Sequence, residues 1–362
     1  DLVLAQSIFD ILALAKPEFM ANPEARFLAE DQARKALRDV LGYRLYFDLR
    51  RGWRVTNPNL EQLGLLRINY QSLPEVCSEQ SLWDDAPPLL AQATPAVRQQ
   101  VATHLLDLMR RELCIKARYL DIDQQEQIKQ ASYSHLREPW ALNDDELMQP
   151  SRYLVLGPKP AQLNQQDNRA SYLSFRSRFS REIRKPTFWG DGAQSRWPEK
   201  FNDAIFDKIV NSLLQALTQG GLVQPLEVTG GRAAYQVTAA ALVWQLGDPA
   251  DKSHFAGNMQ KSNNEFFKDL YLNVANGLRQ NNRLLQSLEA REHTAQVDGA
   301  DREERERRFR AAELPILFCS PTMELGVDIA DLNTVYMRNA PPTPANYAQR
   351  SGRAGRSGQP AL

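Results

Sequence analysis

The stretch LPILFCSPTMELGVDIADLNTVYMRNAPPTPANYAQRSGRAGR, residues 314–356, decides the fold class of this 362-residue chain. An apolar strand over residues 314–319 comes first, and a polar turn separates it from a second strand over residues 334–337. A Pro/Thr-rich turn then leads into a helix with Thr343 as its N-cap and Pro344 at its first position. This alternation is typical of a parallel α/β sheet, whose chemistry lies beyond the carboxyl ends of its strands.

The first turn and the final helix carry residues suited to a nucleotide. Gly326 permits close approach of the backbone, and the Asp328 carboxylate can accept a hydrogen bond from a ribose hydroxyl. Arg350, Arg353 and Arg356 recur every third residue, so their guanidinium groups lie along one side of a helix. Such a group suits a polyphosphate, because each guanidinium can hold two oxygens and offset charge during phosphoryl transfer. A flexible, RNA-binding Arg/Gly tail is the other interpretation, and the ordered strand and N-cap ahead of it disfavour that.

These motifs resemble those of superfamily 2 DEAD/DEAH-type helicases and translocases. SPTMELGVDIADL, residues 320–332, is similar to their motif V, and YAQRSGRAGR, residues 347–356, is similar to their motif VI. The resemblance covers about residues 290–362 and implies a partial second RecA-like lobe over residues 286–362. Finer features resemble large bacterial helicases with accessory regions, some of which are encoded beside phage-defence genes.

The resemblance implies a role for each matching residue. Gln349, Arg353 and Arg356 correspond to catalytic residues that reach the γ-phosphate, and the two arginines stand in the arginine-finger places. The remaining positions are Arg350, Asp328 and Gly326 at the nucleotide site and Thr322 on the nucleic-acid backbone. His293, one of only four histidines, is a candidate for contact with nucleic acid or motif VI, and a structural role is the equal alternative.

The cofactors implied are ATP and Mg²⁺, held mainly by a first RecA-like lobe that this sequence lacks. The sequence contains no G-x-x-x-x-G-K-[ST] motif. The acidic stretch at residues 144–147 follows the polar Asn143 and not an apolar strand, so it is rejected as a Walker B motif. We therefore expect the chain to be a piece of a longer protein that neither binds ATP well nor hydrolyses it alone.

The preceding residues are expected to form an accessory insertion within the second lobe. The predicted parts are a mainly α-helical region at 1–157, a basic and aromatic joint at 158–197, a winged-helix-like element at 198–248 and a polar connector at 249–285. The winged-helix-like pattern is an amphipathic helix ending at Gly220 and Gly221, then strand, Gly-Gly turn and strand. Both DNA binding and simple packing remain open for this element.

The joint contains the second candidate site. Within residues 171–189, basic and aromatic side chains alternate, a combination typical of single-strand binding. The candidate contacts are Arg176, Arg178, Arg184, Lys185 and Trp189. The alternative is an aromatic core face behind a basic, solvated face. A helix over 301–312, with Asp301 as its N-cap, is expected to be a salt-bridged solvent face.

Composition limits the partners. The 44 basic and 44 acidic residues give zero net charge, so nucleic-acid binding must come from local patches. Three distant cysteines predict neither a zinc site nor a disulfide framework, which fits a cytoplasmic protein. We expect the chain to be part of an ATP-dependent helicase that acts on DNA, with RNA as the other option. Its expected partners are the first RecA-like lobe of the same polypeptide and possible defence-system proteins. No association with a membrane is expected. The alternative is a non-catalytic DNA-binding or docking module with a degenerate ATPase lobe.

Overall fold

The structure is a computed structural model, which describes residues 29–50, 58–137, 140–143, 146–160, 168–190, 193–227, 233–247, 265–279, 289–320 and 334–352. The chain divides into two compact units, Asp1–Tyr271 and Leu272–Leu362. The division falls within the segment predicted as a polar connector, which contains a helix.

The first unit contains both helices and short strands, and the second unit has two of each among its described residues. The first unit contains helices α1 (Ala29–Asp48), α2 (Leu73–Ser78), α3 (Pro88–Ala91), α4 (Pro95–Arg111), α5 (Ile122–His135), α6 (Arg178–Ile183) and α7 (Asp203–Gln219). Its strands are β1 (Leu66–Tyr70), β2 (Ile115–Lys116), β3 (Tyr153–Leu156), β4 (Ala170–Leu173), β5 (Val223–Glu227), β6 (Ala233–Thr238) and β7 (Leu242–Leu246). Helix α8 (Glu265–Arg279) spans the division. The second unit contains β8 (Ala290–His293), α9 (Gly299–Arg310), β9 (Ile316–Cys319) and α10 (Pro344–Ser351).

Local side-chain chemistry sets the ends of α4 and α7. Thr94 caps α4, because its hydroxyl oxygen accepts a hydrogen bond from the Val97 nitrogen at 3.4 Å. Asn202 caps α7 in the same way, with its Oδ1 at 3.0 Å from the Ile205 nitrogen. Beyond α7, Gly221 has a φ of +72°, a left-handed conformation that glycine adopts without steric cost. Apolar periodicity predicts both helices, and the structure confirms them.

Strand β6 lies at the centre of a five-stranded mixed sheet. Strand β5 pairs antiparallel along one edge of β6, with Val223 opposite Val237. Strands β3 and β2 share its other edge, and β4 lies parallel beside β3. The strands predicted around residues 222–238 are therefore part of a wider sheet, and residues 228–232 of their turn lie outside the described residues. The first unit combines helices with a sheet that the mainly α-helical expectation omits.

The segment between α1 and β1 differs from its prediction. The turn signal at residues 57–59 predicts one short helix over residues 60–66 that ends near Gly64, whereas residues 60–64 form hydrogen-bonded turns and β1 begins at Leu66. The Leu60 nitrogen donates to Asp48 Oδ2 at 3.0 Å, and the Asn59 backbone nitrogen donates to Gln62 Oε1 at 2.8 Å. The Gln62 nitrogen donates in return to Asn59 Oδ1 at 2.8 Å, so these side chains cap a single turn, and Gly64 ends it with a φ of +71°.

A hydrogen-bonded network of charged groups is buried in the first unit. Arg110 is 0% exposed and donates to both oxygens of Glu61, at 2.8 and 2.5 Å. Its Nε donates to Asp107 Oδ1 at 3.0 Å, and Tyr70 OH donates to the same oxygen at 2.8 Å. A buried charge is tolerated only when its hydrogen bonds are satisfied, so this network fixes α4 against β1 and the turns before it.

In the second unit, β8 and β9 pair in parallel, with His293 opposite Cys319. Helix α9 provides the crossover that a parallel pair requires. The predicted α/β rhythm is confirmed for these elements, although β9 begins at Ile316 and not at residue 314. Residues 334–337 are described but form no strand, so the second strand predicted there is wrong: it gains no ladder partner among the described residues.

The start of α9 also differs from its prediction. Asp298 is the N-cap, and its Oδ1 accepts from the Ala300 nitrogen at 3.0 Å. The expected cap, Asp301, lies inside the first turn, where its negative charge interacts favourably with the positive N-terminal end of the helix dipole. The helix therefore begins at Gly299, one turn closer to β8.

Candidate functional site

Helix α10 carries the start of the predicted phosphate-binding edge. The Thr343 hydroxyl accepts a hydrogen bond from the Asn346 nitrogen at 3.2 Å, and Pro344 occupies the first helical position. Both features are as the sequence predicts, because they depend only on neighbouring residues. The helix therefore has a fixed start ahead of its polar C-terminal turn.

The last turn of α10 presents two of the predicted site residues. Gln349 is exposed and Arg350 is partly exposed at this end of the helix. The Gly352 nitrogen closes the helix by donating to Ala348 O at 2.9 Å. A Cβ at Gly352 would lie 2.7 Å from the same oxygen, so this ending requires glycine. Arg353 and Arg356 lie outside the described residues.

The carboxyl ends of β8 and β9 form the other part of the candidate site. His293 and Cys319 end these strands side by side, and Ser320 follows β9. The motif V candidates come directly after Ser320, and all of them lie outside the described residues: Thr322, Gly326 and Asp328. The structure thus describes the carboxyl ends of β8 and β9, but not the motif V segment that follows them.

His293 is enclosed within the second unit. Its side chain is 0% exposed, and its Nε2 lies 2.8 Å from Glu306 Oε1 on α9. An enclosed imidazole offers no surface to a nucleic-acid strand in this structure, which favours the structural alternative. The imidazole ties the end of β8 to the middle of α9.

Further charged contacts join α9 to β8. Glu289 accepts from Arg308 at 3.2 and 2.5 Å, and Arg305 donates to Glu292 O at 2.7 Å. Hydrogen bonds from Arg308 lower the pKa of Glu289, against the opposing effect of burial. The salt-bridged solvent face predicted for this helix is correct only in part, because several of its charges dock it onto the strand. Sequence inspection missed Glu306 and Glu289, although a helix so poor in apolar residues needs polar contacts to dock.

The basic residues of the predicted joint mostly point outward. Arg176, Arg178 and Lys185 are exposed at or near α6. Lys185 Nζ lies 2.8 Å from Glu182 Oε2. Arg184 differs from them, because its guanidinium carbon lies 4.4 Å from the centre of the Phe175 ring.

The aromatic residues of the joint point inward. Trp189 is 1% exposed, and its indole nitrogen donates to Ile183 O at 2.7 Å. His104 on α4 stacks on Phe179 and meets Phe188 edge-on, both at 5.6 Å between ring centres. Trp189 is therefore a core residue, and its predicted contact with nucleic acid is corrected because neither ring face is open to a base.

The acidic stretch at residues 144–147, rejected above as a Walker B motif, contains a residue that pairs with α1. Glu146 forms a two-pronged ion pair with Arg44 of α1, with one oxygen at 2.6 Å from Arg44 Nη2. Within the described ranges, no group of three or more His, Cys, Asp or Glu side chains is arranged to hold a metal ion. None of the described helices combines the length and the apolar character needed to span a bilayer.

Comparison with known proteins identifies the C-terminal part of the chain. Residues 266–358 match the family described as the helicase conserved C-terminal domain. Over 67 residues, the chain is 34% identical to the probable ATP-dependent RNA helicase ddx51 of Dictyostelium discoideum, a segment covering 18% of this chain and 12% of that protein. This region is a superfamily 2 helicase C-terminal lobe.

The helicase lobe has a second relative. Over 92 residues, the chain is 45% identical to Druantia protein DruE of Escherichia coli (strain UMEA 4076-1), covering 22% of this chain and 5% of that protein. The matched segments are thus small parts of both relatives. No solved structure matches the chain. The match to the helicase C-terminal family implies a RecA-like second lobe for the matched residues.

Proposed function

We propose that this chain is part of an ATP-dependent helicase or translocase, supplies the arginine-finger half of its ATPase site, and acts on DNA. The observation that carries the proposal is the helicase family match over residues 266–358, which spans the whole segment similar to motif VI. The alternative, a non-catalytic docking module, would not need that segment to keep Gln349, Arg353 and Arg356 together.

The residue roles in this proposal follow the motifs. Gln349, Arg353 and Arg356 act on the γ-phosphate, and the charge of the arginines offsets charge that develops during phosphoryl transfer. The supporting roles belong to Arg350, Asp328 and Gly326 at the nucleotide and Thr322 on the nucleic-acid backbone. The capped helix α10 supports this assignment, because a fixed helix start holds Gln349 and Arg350 in place.

The proposed cofactors are ATP and Mg²⁺, with most of their ligands on a first RecA-like lobe. The exposed amide of Gln349 and the guanidinium of Arg350 suit phosphate oxygens, which accept hydrogen bonds from both groups. Magnesium bound to the phosphates would neutralise their charge. The residues of this chain would contact the terminal phosphate from the side opposite to the first RecA-like lobe, and would orient it.

The remaining regions are proposed as an accessory insertion within the second lobe. The element over residues 198–248 is proposed to be winged-helix-like and to serve packing, since β6 is paired along both edges and α7 is largely buried on one face. A cytoplasmic location and a role in defence beside partner proteins are parts of the same proposal.

The proposal is tested with Arg356→Ala in the full-length protein. We expect the ATPase rate to fall by about a thousandfold or more, the scale of arginine-finger loss. Arg307→Ala is the matched control, because Arg307 lies in the same unit, 59% exposed and paired with Glu304. Near-normal turnover in the Arg356 variant would contradict the proposal, as would a reading frame upstream of Asp1 without a GK[ST] motif and an acidic box.

A further inference from the structure

A cluster of exposed cations surrounds α6 in the first unit. Residues 176–185 contain Arg176, Arg178, Arg181, Arg184 and Lys185 against the single acid Glu182, although the chain as a whole has zero net charge. All but Arg184 are exposed, and they define the α6 basic surface: Arg176, Arg178, Arg181 and Lys185. The positive charge is therefore concentrated at the surface of one short segment.

Helix α4 carries a further arginine near this surface. Burial lowers the pKa of His104, and the positive charges of both Arg111 on α4 and Arg178 lower it further, whereas Asp107 and Glu182 raise it. Both arginines thus lie close enough to act on one imidazole. Arg111 is 26% exposed and only 3.7 Å from Asp107 Oδ2, a loose pairing. Arg111 therefore lies near the α6 basic surface but outside it, because Asp107 beside it balances its charge.

The aromatic side chains behind the surface are occupied within the core. Phe179 packs between His104 and Phe206, with ring centres 5.6 and 6.3 Å away. Phe175 lies 6.1 Å from Phe206 and carries the Arg184 guanidinium on its face. Trp189 is enclosed, as described above. A base needs an open ring face for stacking, but Phe179 and Trp189 are enclosed, and the Arg184 guanidinium lies over a face of the partly buried Phe175.

We infer that the α6 basic surface binds the sugar–phosphate backbone of a nucleic-acid strand without stacking any base. Exposed guanidinium groups grip phosphate oxygens in pairs, whereas recognition of bases needs either open aromatic faces or access to base edges. Binding of this kind is independent of sequence and weakens with salt as counterions are released. The inference deepens the proposed function and depends on it, because it assigns one nucleic-acid contact of the helicase to this insertion.

The test is Arg176→Glu with Arg181→Glu in the full-length protein, without ATP. The probe is a fluorescent single-stranded DNA, and a strand of equal length with its central bases replaced by abasic sites is measured beside it. We expect affinity to fall by about tenfold or more on both strands, with a salt slope smaller by about 0.7 for each phosphate that the variant no longer neutralises. The control is Lys35→Glu with Lys116→Glu, an equal charge change at exposed positions on α1 and β2, which should leave affinity within about twofold.

Three results would overturn the inference. These are an unchanged affinity, an equal loss in the lysine control, and a loss confined to the strand with intact bases. An RNA strand of the same length should show the same loss, since the phosphate chemistry is shared. Binding is measured without ATP, so the outcome is separate from the Arg356→Ala test: a normal ATPase in that variant would contradict the proposed function without changing the binding result.

Discussion

His293 Nε2 lies 2.8 Å from Glu306 Oε1, and the imidazole that forms this contact is fully enclosed. The contact joins the carboxyl end of β8 to α9, beside the point where Ser320 leaves β9. The edge from which the motif V segment departs is therefore held by a buried polar contact.

Removing the Glu306 carboxylate should destabilise the second unit. We expect Glu306→Ala to lower the free energy of unfolding by about 1–3 kcal/mol, because it leaves a buried imidazole nitrogen without a partner. Glu306→Gln should cost less, since its amide oxygen can still accept. Glu303→Ala, at an exposed position of the same helix, is the control and should stay within about 0.5 kcal/mol. Hydrogen exchange of the β8 amides measures the difference, and equal protection in all variants would contradict it.

The Thr343 cap should affect catalysis in the full-length protein. Loss of an N-cap costs about 0.5–2 kcal/mol, so Thr343→Ala should lower kcat for ATP hydrolysis by about 2- to 30-fold if α10 positions Gln349 and Arg350. Thr343→Ser keeps the hydroxyl and should restore the rate. A serine variant as slow as the alanine variant would show that the cap is not the cause.

The buried network around Arg110 should be sensitive to loss of its cation. Arg110→Met should lower the free energy of unfolding by about 3–5 kcal/mol, because Glu61 and Asp107 are left partly buried without their partner. Arg111→Met is a neighbouring control with a 3.7 Å contact to the same aspartate, and it should cost less than about 1 kcal/mol. Urea unfolding followed by tryptophan fluorescence compares the two, and similar costs would refute the network's importance.

Asp48 should make stability depend on pH. Burial raises the pKa of this carboxyl to about 7, the charge of Glu61 adds to the rise, and the hydrogen bond from the Leu60 nitrogen opposes it. Because the folded-state pKa is raised, the stabilising contribution is complete below the unfolded value of about 4 and is lost as pH rises through about 7. The folded state at pH 8 therefore contains an unfavourable, partly buried carboxylate.

Asp48→Asn removes that charge and keeps an oxygen for the Leu60 nitrogen. The variant should be more stable than the wild type at pH 8, by up to about 4 kcal/mol, and the gap should close near pH 4. Asp31→Asn, at an exposed position on the same helix, should leave the pH profile unchanged. Urea unfolding between pH 4 and 8 checks this, and a constant difference across that range would refute it.

Predictions from sequence held where the physical cause was local. The Thr343 cap of α10 was predicted, because a cap depends on a side chain and a backbone nitrogen two or three residues away. The helices α4 and α7 were predicted from the spacing of their apolar residues, which is also local. The cap of α9 was not, since Asp298 and Asp301 are both suitable and the path of the chain leaving β8 selects the first. The prediction of a strand at 334–337 was wrong for a related reason. A strand needs a second strand to pair with, and the β-propensity of its own residues does not provide one.

The sequence alone determined the capped helix α10, the strand and crossover helix that precede it, and the motif residues that identify a helicase lobe. Each of these depends on residues close together in the chain. Only the tertiary structure decided that His293 faces Glu306, that Arg110 is satisfied by Glu61, and that Trp189 is core while its basic neighbours are exposed. Burial depends on which distant elements pack together, and only that packing determines whether a polar or aromatic side chain meets a partner or the solvent.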